Sequence, residues 1–149
     1  MLGNLASLYR KLERFEEAHG ALDRALLLGT DQIRLHNLRA EVYLAQNDHD
    51  AAVAATDSVL ALSPDDSRAQ AVRARALTLL GRYEEAETWM RRSLSSEPGN
   101  VPNRAVLAEI LLGQGRRADA AETLREVLAA QPGHAYAQAR LREIEAGAE

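Results

Sequence analysis

The chain contains no cysteine. Disulfides, thiol nucleophiles and thiolate-bound metals are therefore excluded, although the absence does not fix a redox compartment. Aromatic residues make up only 4% of the 149 positions, so any core has to be aliphatic and closely packed. There are four prolines and nine glycines, most of them between stretches of helix-forming residues. No stretch approaches the ~18 consecutive apolar residues that a membrane span needs. The segment Met1-Leu2-Gly3-Asn4-Leu5 has no basic region followed by an apolar one, so no signal peptide is read there. Positive charge is not in excess either: the net charge is −4, with both signs mixed throughout. A nucleic-acid-binding domain usually has the opposite balance, because phosphate neutralisation supplies most of its affinity. We expect neither nucleic acid nor membrane insertion, and a cytoplasmic protein, with the periplasm as the other compartment open to it. The Ala-, Arg- and Leu-rich composition points to a GC-rich bacterial gene.

Catalytic motifs are missing as well. His19, His36, His49 and His134 have no His partner at i+4, so no helical metal pair exists. No Gly-x-Ser-x-Gly, Walker-type or Gly-x-Gly-x-x-Gly loop occurs. Ser63 and Ser67 flank Pro64 and read as turn and cap residues. Gly113-Gln114-Gly115 reads as a turn between helices. Glu16/Glu17 and Glu84/Glu85 recur at one repeat position, where negative charge suits a helix N-terminus better than acid–base chemistry. We expect no enzyme, no cofactor and no metal.

What is present is a repeat, the feature to look for first. Leu12-Glu13-Arg14-Phe15-Glu16-Glu17-Ala18 is echoed in Gln46–Ala52, Leu80–Ala86 and Gln114–Ala120, each copy 34 residues from the next. Whole columns agree at that period. Ala6, Ala40, Ala74 and Ala108 form one; Ala18, Ala52, Ala86 and Ala120 another; Leu26, Leu60, Leu94 and Leu128 a third. Tyr9, Tyr43, Leu77 and Leu111 form a bulky column, and Thr30, Pro64, Pro98 and Pro132 close each unit. Each unit holds two apolar-periodic segments of ~12–14 residues separated by a polar or glycine turn. Small residues belong where two helix axes approach to ~8–10 Å, and large ones beside that contact. The prolines stop the second helix of each pair. Helices are expected at 2–12 with 15–29, 33–46 with 49–62, 67–80 with 83–96, and 101–114 with 117–130. A ninth, over 135–146, covers the last pair with Ala137, Leu141 and Ile144.

The alanine columns, the Gly81/Gly115 turns, Phe15/Tyr83 after the turn and the closing prolines together resemble the tetratricopeptide repeat family, across essentially the whole chain. The resemblance implies an all-α, right-handed α–α superhelical solenoid. Its four helix-turn-helix repeats would be 1–32, 33–66, 67–100 and 101–134, with a capping helix at 135–146, in one domain over 1–149. There are departures. His49 and Arg117 stand where the family usually has an aromatic, Arg39 and Arg73 where it has Leu, and Thr30 replaces the first proline. These imply locally loosened packing. Met1 falls at the third position of its repeat and no N-terminal cap precedes it. Two explanations fit: further repeats upstream, which we favour, or an apolar end face that packs on a partner.

By the same resemblance, the first helix of each pair lines a concave face that binds a protein or peptide. The inward residues would be Asn4, Ser7, Arg10 and Lys11; then Arg34, Asn37, Leu38, Glu41, Leu44 and Ala45. Arg68, Ala71, Val72, Arg75, Thr78 and Leu79 follow, and last Ala105, Val106, Glu109 and Leu112. Leu38, Val72 and Val106, flanked by Leu44, Leu79 and Leu112, make an apolar column; an open concave face gives a monomer no packing reason for one. We expect it to hold a hydrophobic or amphipathic segment, unless it packs between neighbouring helices. Arg10, Lys11, Arg34, Arg68 and Arg75 bring positive charge to the same side, where Glu41 and Glu109 can neutralise part of it. Some relatives grip C-terminal carboxylates of chaperones with fixed Lys, Asn and Arg residues. The matching positions here are Gly3, Ser7, Leu38, Arg68 and Val72, or Asn37, Glu41, Val72, Pro102 and Val106. Only Arg68 fits, so that clamp is absent. The expected role is an interaction scaffold. The alternatives are a self-associating unit, a homo-oligomer, or a regulatory or substrate-recruiting extension of a larger enzyme.

Overall fold

The computed structural model describes residues 1–29 and 31–147, and nine α-helices account for nearly all of them. They are α1 (Leu2–Lys11), α2 (Phe15–Leu27), α3 (Gln32–Ala45), α4 (His49–Leu62), α5 (Ser67–Leu79), α6 (Tyr83–Ser96), α7 (Val101–Gly113), α8 (Arg117–Ala130) and α9 (Ala135–Ala146). No strand occurs among the described residues. Thr30, the residue standing in for the first closing proline, lies outside them.

Short turns lay consecutive helices side by side, and the heaviest packing joins α1 to α2, α3 to α4, α5 to α6 and α7 to α8. The odd helices also touch in series, α1 to α3, α3 to α5 and α5 to α7. No comparable contact joins one even helix to the next. The odd layer is therefore the tighter one, and the stack is concave on that side. The alanine columns explain how the axes get so close. Ala6, Ala40, Ala74 and Ala108 are wholly buried, and so are Ala18, Ala52, Ala86 and Ala120. A larger side chain at any of them would push two axes apart, at ~1–3 kcal/mol or more.

The turn inside each pair is one motif used four times. Glu13, Asn47, Gly81 and Gly115 occupy the same column and all have positive φ, between 56° and 75°. The next residue's N–H reaches back five residues: Arg14 to Tyr9, Asp48 to Tyr43, Arg82 to Leu77 and Arg116 to Leu111, at 2.9–3.0 Å. This is the Schellman closure, which satisfies carbonyls that a helix end leaves open. Gly113 is not part of that turn, contrary to the sequence reading. It is the last residue of α7, and a Cβ there would lie 2.3 Å from Cε1 of Tyr83. Glycine is present because a tyrosine ring lies on the backbone. Thirty-four residues further on, a Cβ on Gly147 would meet Nη2 of Arg117 at 2.6 Å.

The turns between pairs are held by a recurring clasp. Gln70 Nε2 donates to the Pro64 carbonyl at 3.0 Å, Arg104 Nη2 to that of Pro98 at 2.5 Å, and Gln138 Nε2 to that of Pro132 at 2.8 Å. The next helix is then capped by Asp66, Asn100 or His134, each side chain accepting the N–H three residues on. Ser67, expected as a cap, is the first helical residue, and its neighbour Asp66 does the capping. Even helices α2, α6 and α8 have an arginine before the first turn that pairs with an acid three residues on: Arg14 with Glu17, Arg82 with Glu85, Arg116 with Asp119. The hydrogen bond from Arg14 holds the Glu17 carboxyl below the usual carboxylate range, and Arg82 does the same to Glu85.

Arg39 and Arg73 do not loosen the packing. Each reaches back to the preceding even helix, Arg39 to Asp23 and Arg73 to Asp57. Arg73 also donates to Thr56 Oγ1 at 3.0 Å and lies 4.9 Å above the Trp89 ring. A leucine at this position would contribute apolar contact alone; the arginines tie one helix pair to the next by polar contact.

Candidate interaction surface

The sequence places twenty inward residues on the odd helices, and the structure divides them. Asn37, Leu38 and Val72 are buried, being 2%, 4% and 4% exposed. Leu38 packs into a cluster with Ala6, Leu22 and Val42. Asn37 Nδ2 donates to Asp66 Oδ1 at 3.1 Å, tying α3 to the cap of α5. The expected apolar groove is therefore a seam: odd helices in the tight layer bury these side chains against one another. Val106 and Leu112 are half-buried against the core beneath α7, and Leu44 is half-buried too. Leu79 alone of the column stands open, at 59% exposure.

The charged candidates are more accessible. Glu41 sits at the centre of α3, its side chain 18% exposed, and accepts from Arg68 Nε at 2.6 Å. Arg10 lies 3.9 Å from its other oxygen. One carboxylate thus joins α1, α3 and α5. Hydrogen bonding to Glu41 raises the Arg68 pKa above the usual guanidinium value, against the lowering effect of burial. Arg34 is tied at 2.7 Å to Asp31, the residue that precedes its own helix. Arg75, on α5, is exposed and makes no ion pair among the described residues. Asn4 and Glu109 are exposed and make no side-chain ion pair among the described residues.

Arg68 and Arg75 line a depression on this side, a cleft of about 270 Å³ across α3, α5 and α7. Its walls are Glu41, Ser67, Ala71, Val72, Glu97, Asn100 and Asn103 besides the two arginines. Four of these were not among the inward residues read in the sequence: Ser67, Glu97, Asn100 and Asn103. They come from the start of α5 and from the α6–α7 turn, and are pre-set by hydrogen bonds. Ser67 Oγ donates to Glu97, Asn100 Nδ2 donates to Glu97 Oε2 at 2.9 Å, and Asn103 Nδ2 donates to Ser93 Oγ at 3.1 Å. Asn100 was legible only as a helix cap, because its place in a cleft depends on how α7 stacks on α5. The cleft has fixed donors and acceptors of both signs and an apolar floor of Ala71 and Val72. It can hold a polar chain segment.

Two of the four histidines have structural roles. His19 lies 4.6 Å from the Tyr43 ring and shares a hydrogen bond with Gln46 at 3.1 Å, while His134 caps α9. No helix among the described residues is long and apolar enough to cross a membrane.

A family model described as tetratricopeptide repeat matches residues 4–67 and 37–101, and a second of the same description matches 90–143. No curated protein matches by sequence. Among solved structures, the Cut9–Hcn1 hetero-tetramer of APC/C superimposes with a TM-score of 0.87 at 19% identity, over 96% of this chain and 29% of that one. MamA gives 0.84 at 14% identity, over 95% of this chain and 83% of its own. The second domain of this type in human RPAP3, solved in complex with an HSP70 peptide, gives 0.69 at 20% identity, over 74% and 92%. At these identities the likeness is one of fold.

Proposed function

The chain belongs to the tetratricopeptide repeat family, in general a protein–protein interaction module, and from that premise we propose that it binds a protein segment along its concave face, at the cleft between α3, α5 and α7. The observation that carries this reading is Arg75. It is a guanidinium on the wall of a shaped cleft, with no acidic partner among the described residues. Its neighbours Asn100 and Asn103 are already fixed in orientation, which lowers the entropy cost of recognising a backbone or carboxylate. Arg68 adds a second cation, partly offset by Glu41. The segment would carry at least one carboxylate opposite Arg75 and run extended past Asn100. Asn37, Leu38 and Val72 act beneath it, holding the odd helices together.

The test is selection from a random peptide library on the immobilised chain, then titration of the selected peptides against Arg75→Glu. Enrichment of acid-containing peptides, with at least about tenfold weaker binding to the variant, is expected. Equal binding by a variant with an unchanged circular dichroism spectrum refutes the site. A Leu79→Ser variant checks the neighbouring open apolar position, and should retain the same peptides.

A further inference from the structure

The repeat allows one part of the concave face to be read against another. Glu41, Arg75 and Glu109 hold the same position in α3, α5 and α7, one repeat apart, and so run across the centre of that face. Glu41 is satisfied from both sides. Arg68 of the next odd helix donates Nε to it at 2.6 Å, and Arg10 of the preceding one lies 3.9 Å away. Two repeats on, Glu109 stands in the place of Glu41, but the places of its two cations are held by other residue types. Thr78 replaces Arg10 and donates to its own helix, to the Ala74 carbonyl at 2.8 Å. Tyr136 of α9, packed against the cluster of Ala105 and Ala108, replaces Arg68, and its hydroxyl makes no hydrogen bond to Glu109. The arginine one turn further along α9, Arg140, lies over the Tyr136 ring and pairs with Glu143 at 2.8 Å. Arg75 is the complementary case. The corresponding places beside it are held by Leu44 and Pro102, so neither supplies an acid. Arg75 and Glu109 are both exposed, and neither makes an ion pair among the described residues.

Glu41 shows what a carboxylate at this position takes in this molecule: a guanidinium, whose planar fork suits a carboxylate better than an ammonium does. Arg75 and Glu109 stand at one level on α5 and α7, which pack against each other. Packed helix axes lie about 8–10 Å apart. A polyproline II segment rises ~3.1 Å per residue with three residues per turn, so every third side chain shares one face at a spacing of about 9 Å. That spacing sets one side chain over α5 and another over α7. Resting on the cleft reading above, we infer that the bound segment carries an arginine three residues from its carboxylate. The carboxylate meets Arg75, and the guanidinium meets Glu109 as Arg68 meets Glu41. The partner is then a protein segment of mixed charge, because charge of one sign alone would fill one of the two places and be repelled from the other.

The probe is a random peptide library displayed on phage, selected in parallel on the parent chain, on Glu109→Gln and on Glu109→Arg. On the parent, the enriched peptides are expected to hold an arginine three residues to one side of an Asp or Glu. On Glu109→Gln the acid should persist and the preference for arginine disappear. On Glu109→Arg a second acid should take the place of the arginine. A synthetic peptide from the parent selection should bind about fivefold more weakly once its arginine is changed to alanine, and that difference should vanish on Glu109→Gln. Glu109 is exposed, so both variants should keep the circular dichroism spectrum of the parent. Acidic peptides with no arginine at that spacing, or a preference for arginine that survives Glu109→Gln, overturn the pairing and leave the Arg75 cleft standing. Selection without acidic residues, or binding indifferent to Arg75→Glu, overturns the cleft and the pairing together.

Discussion

Replacing Gly81 by alanine isolates the energetics of the turn inside each helix pair. Gly81 has φ +74°, and a Cβ built there meets nothing within 4 Å. Packing therefore contributes nothing to the outcome, and only backbone conformation is at stake. A residue with a Cβ pays ~1–2 kcal/mol in the left-handed region. The unfolded chain gives back ~0.4–1 kcal/mol, because alanine has fewer conformations to lose. The net loss is about 1 kcal/mol. With a urea dependence of ~2 kcal/mol per molar, that is a fall of about 0.5 M in the denaturation midpoint, read by circular dichroism at 222 nm. The same column supplies the reverse experiment. Glu13 holds φ 56° with a side chain that makes no ion pair among the described residues. Glu13→Gly should raise the midpoint by about as much as Gly81→Ala lowers it. Asn47, at φ 64°, belongs to a type that tolerates this region, so Asn47→Gly should give only a few tenths of a kcal/mol. Gly81→Ala with no effect, or Glu13→Gly as damaging as Gly81→Ala, would refute the reasoning.

Gly113→Ala should destabilise by ~1 kcal/mol or more although alanine is the better helix former by about that amount, because the Tyr83 ring must move. In a Tyr83→Ala background the same change should be neutral or stabilising, and a double-mutant cycle read by thermal melts decides it. Arg73→Ala should cost more than Asp57→Ala, since Arg73 also donates to Thr56 and covers Trp89, whereas the exposed pair alone is worth up to ~1 kcal/mol. Glu87 is the acid test. Burial raises its pKa, but hydrogen bonds from Gln114, Arg91 and Arg116 outweigh this and hold it below the usual 4.5. Its contribution is therefore complete above about pH 4.5 and lost as pH falls through the lower folded value. Glu87→Gln should cost about 1.5 kcal/mol at pH 7 and flatten the loss of stability between pH 5 and 3, measured by urea titration at each pH; an unchanged acid profile would exclude Glu87 as a contributor.

The sequence by itself determined every helix to within two residues at the described ends, because each is set by local signals: apolar periodicity, a left-handed turn residue, a closing proline. It determined the alanine columns too, since a contact repeated at a fixed period leaves the same small residue in each copy. It did not determine which apolar residues of the odd helices stay open. Leu38 and Leu79 are equally apolar, yet one is sealed between helices and the other faces solvent. That depends on how far the odd layer closes, a property of the stack. Only the tertiary structure decided the pairs made across 16 to 30 residues: Asp23 with Arg39, Tyr83 over Gly113, Ser67 with Glu97, Arg68 with Glu41. Each requires one helix pair to be set at a definite angle on the next. The period specifies that step as identical from copy to copy, and only packed side chains specify its size.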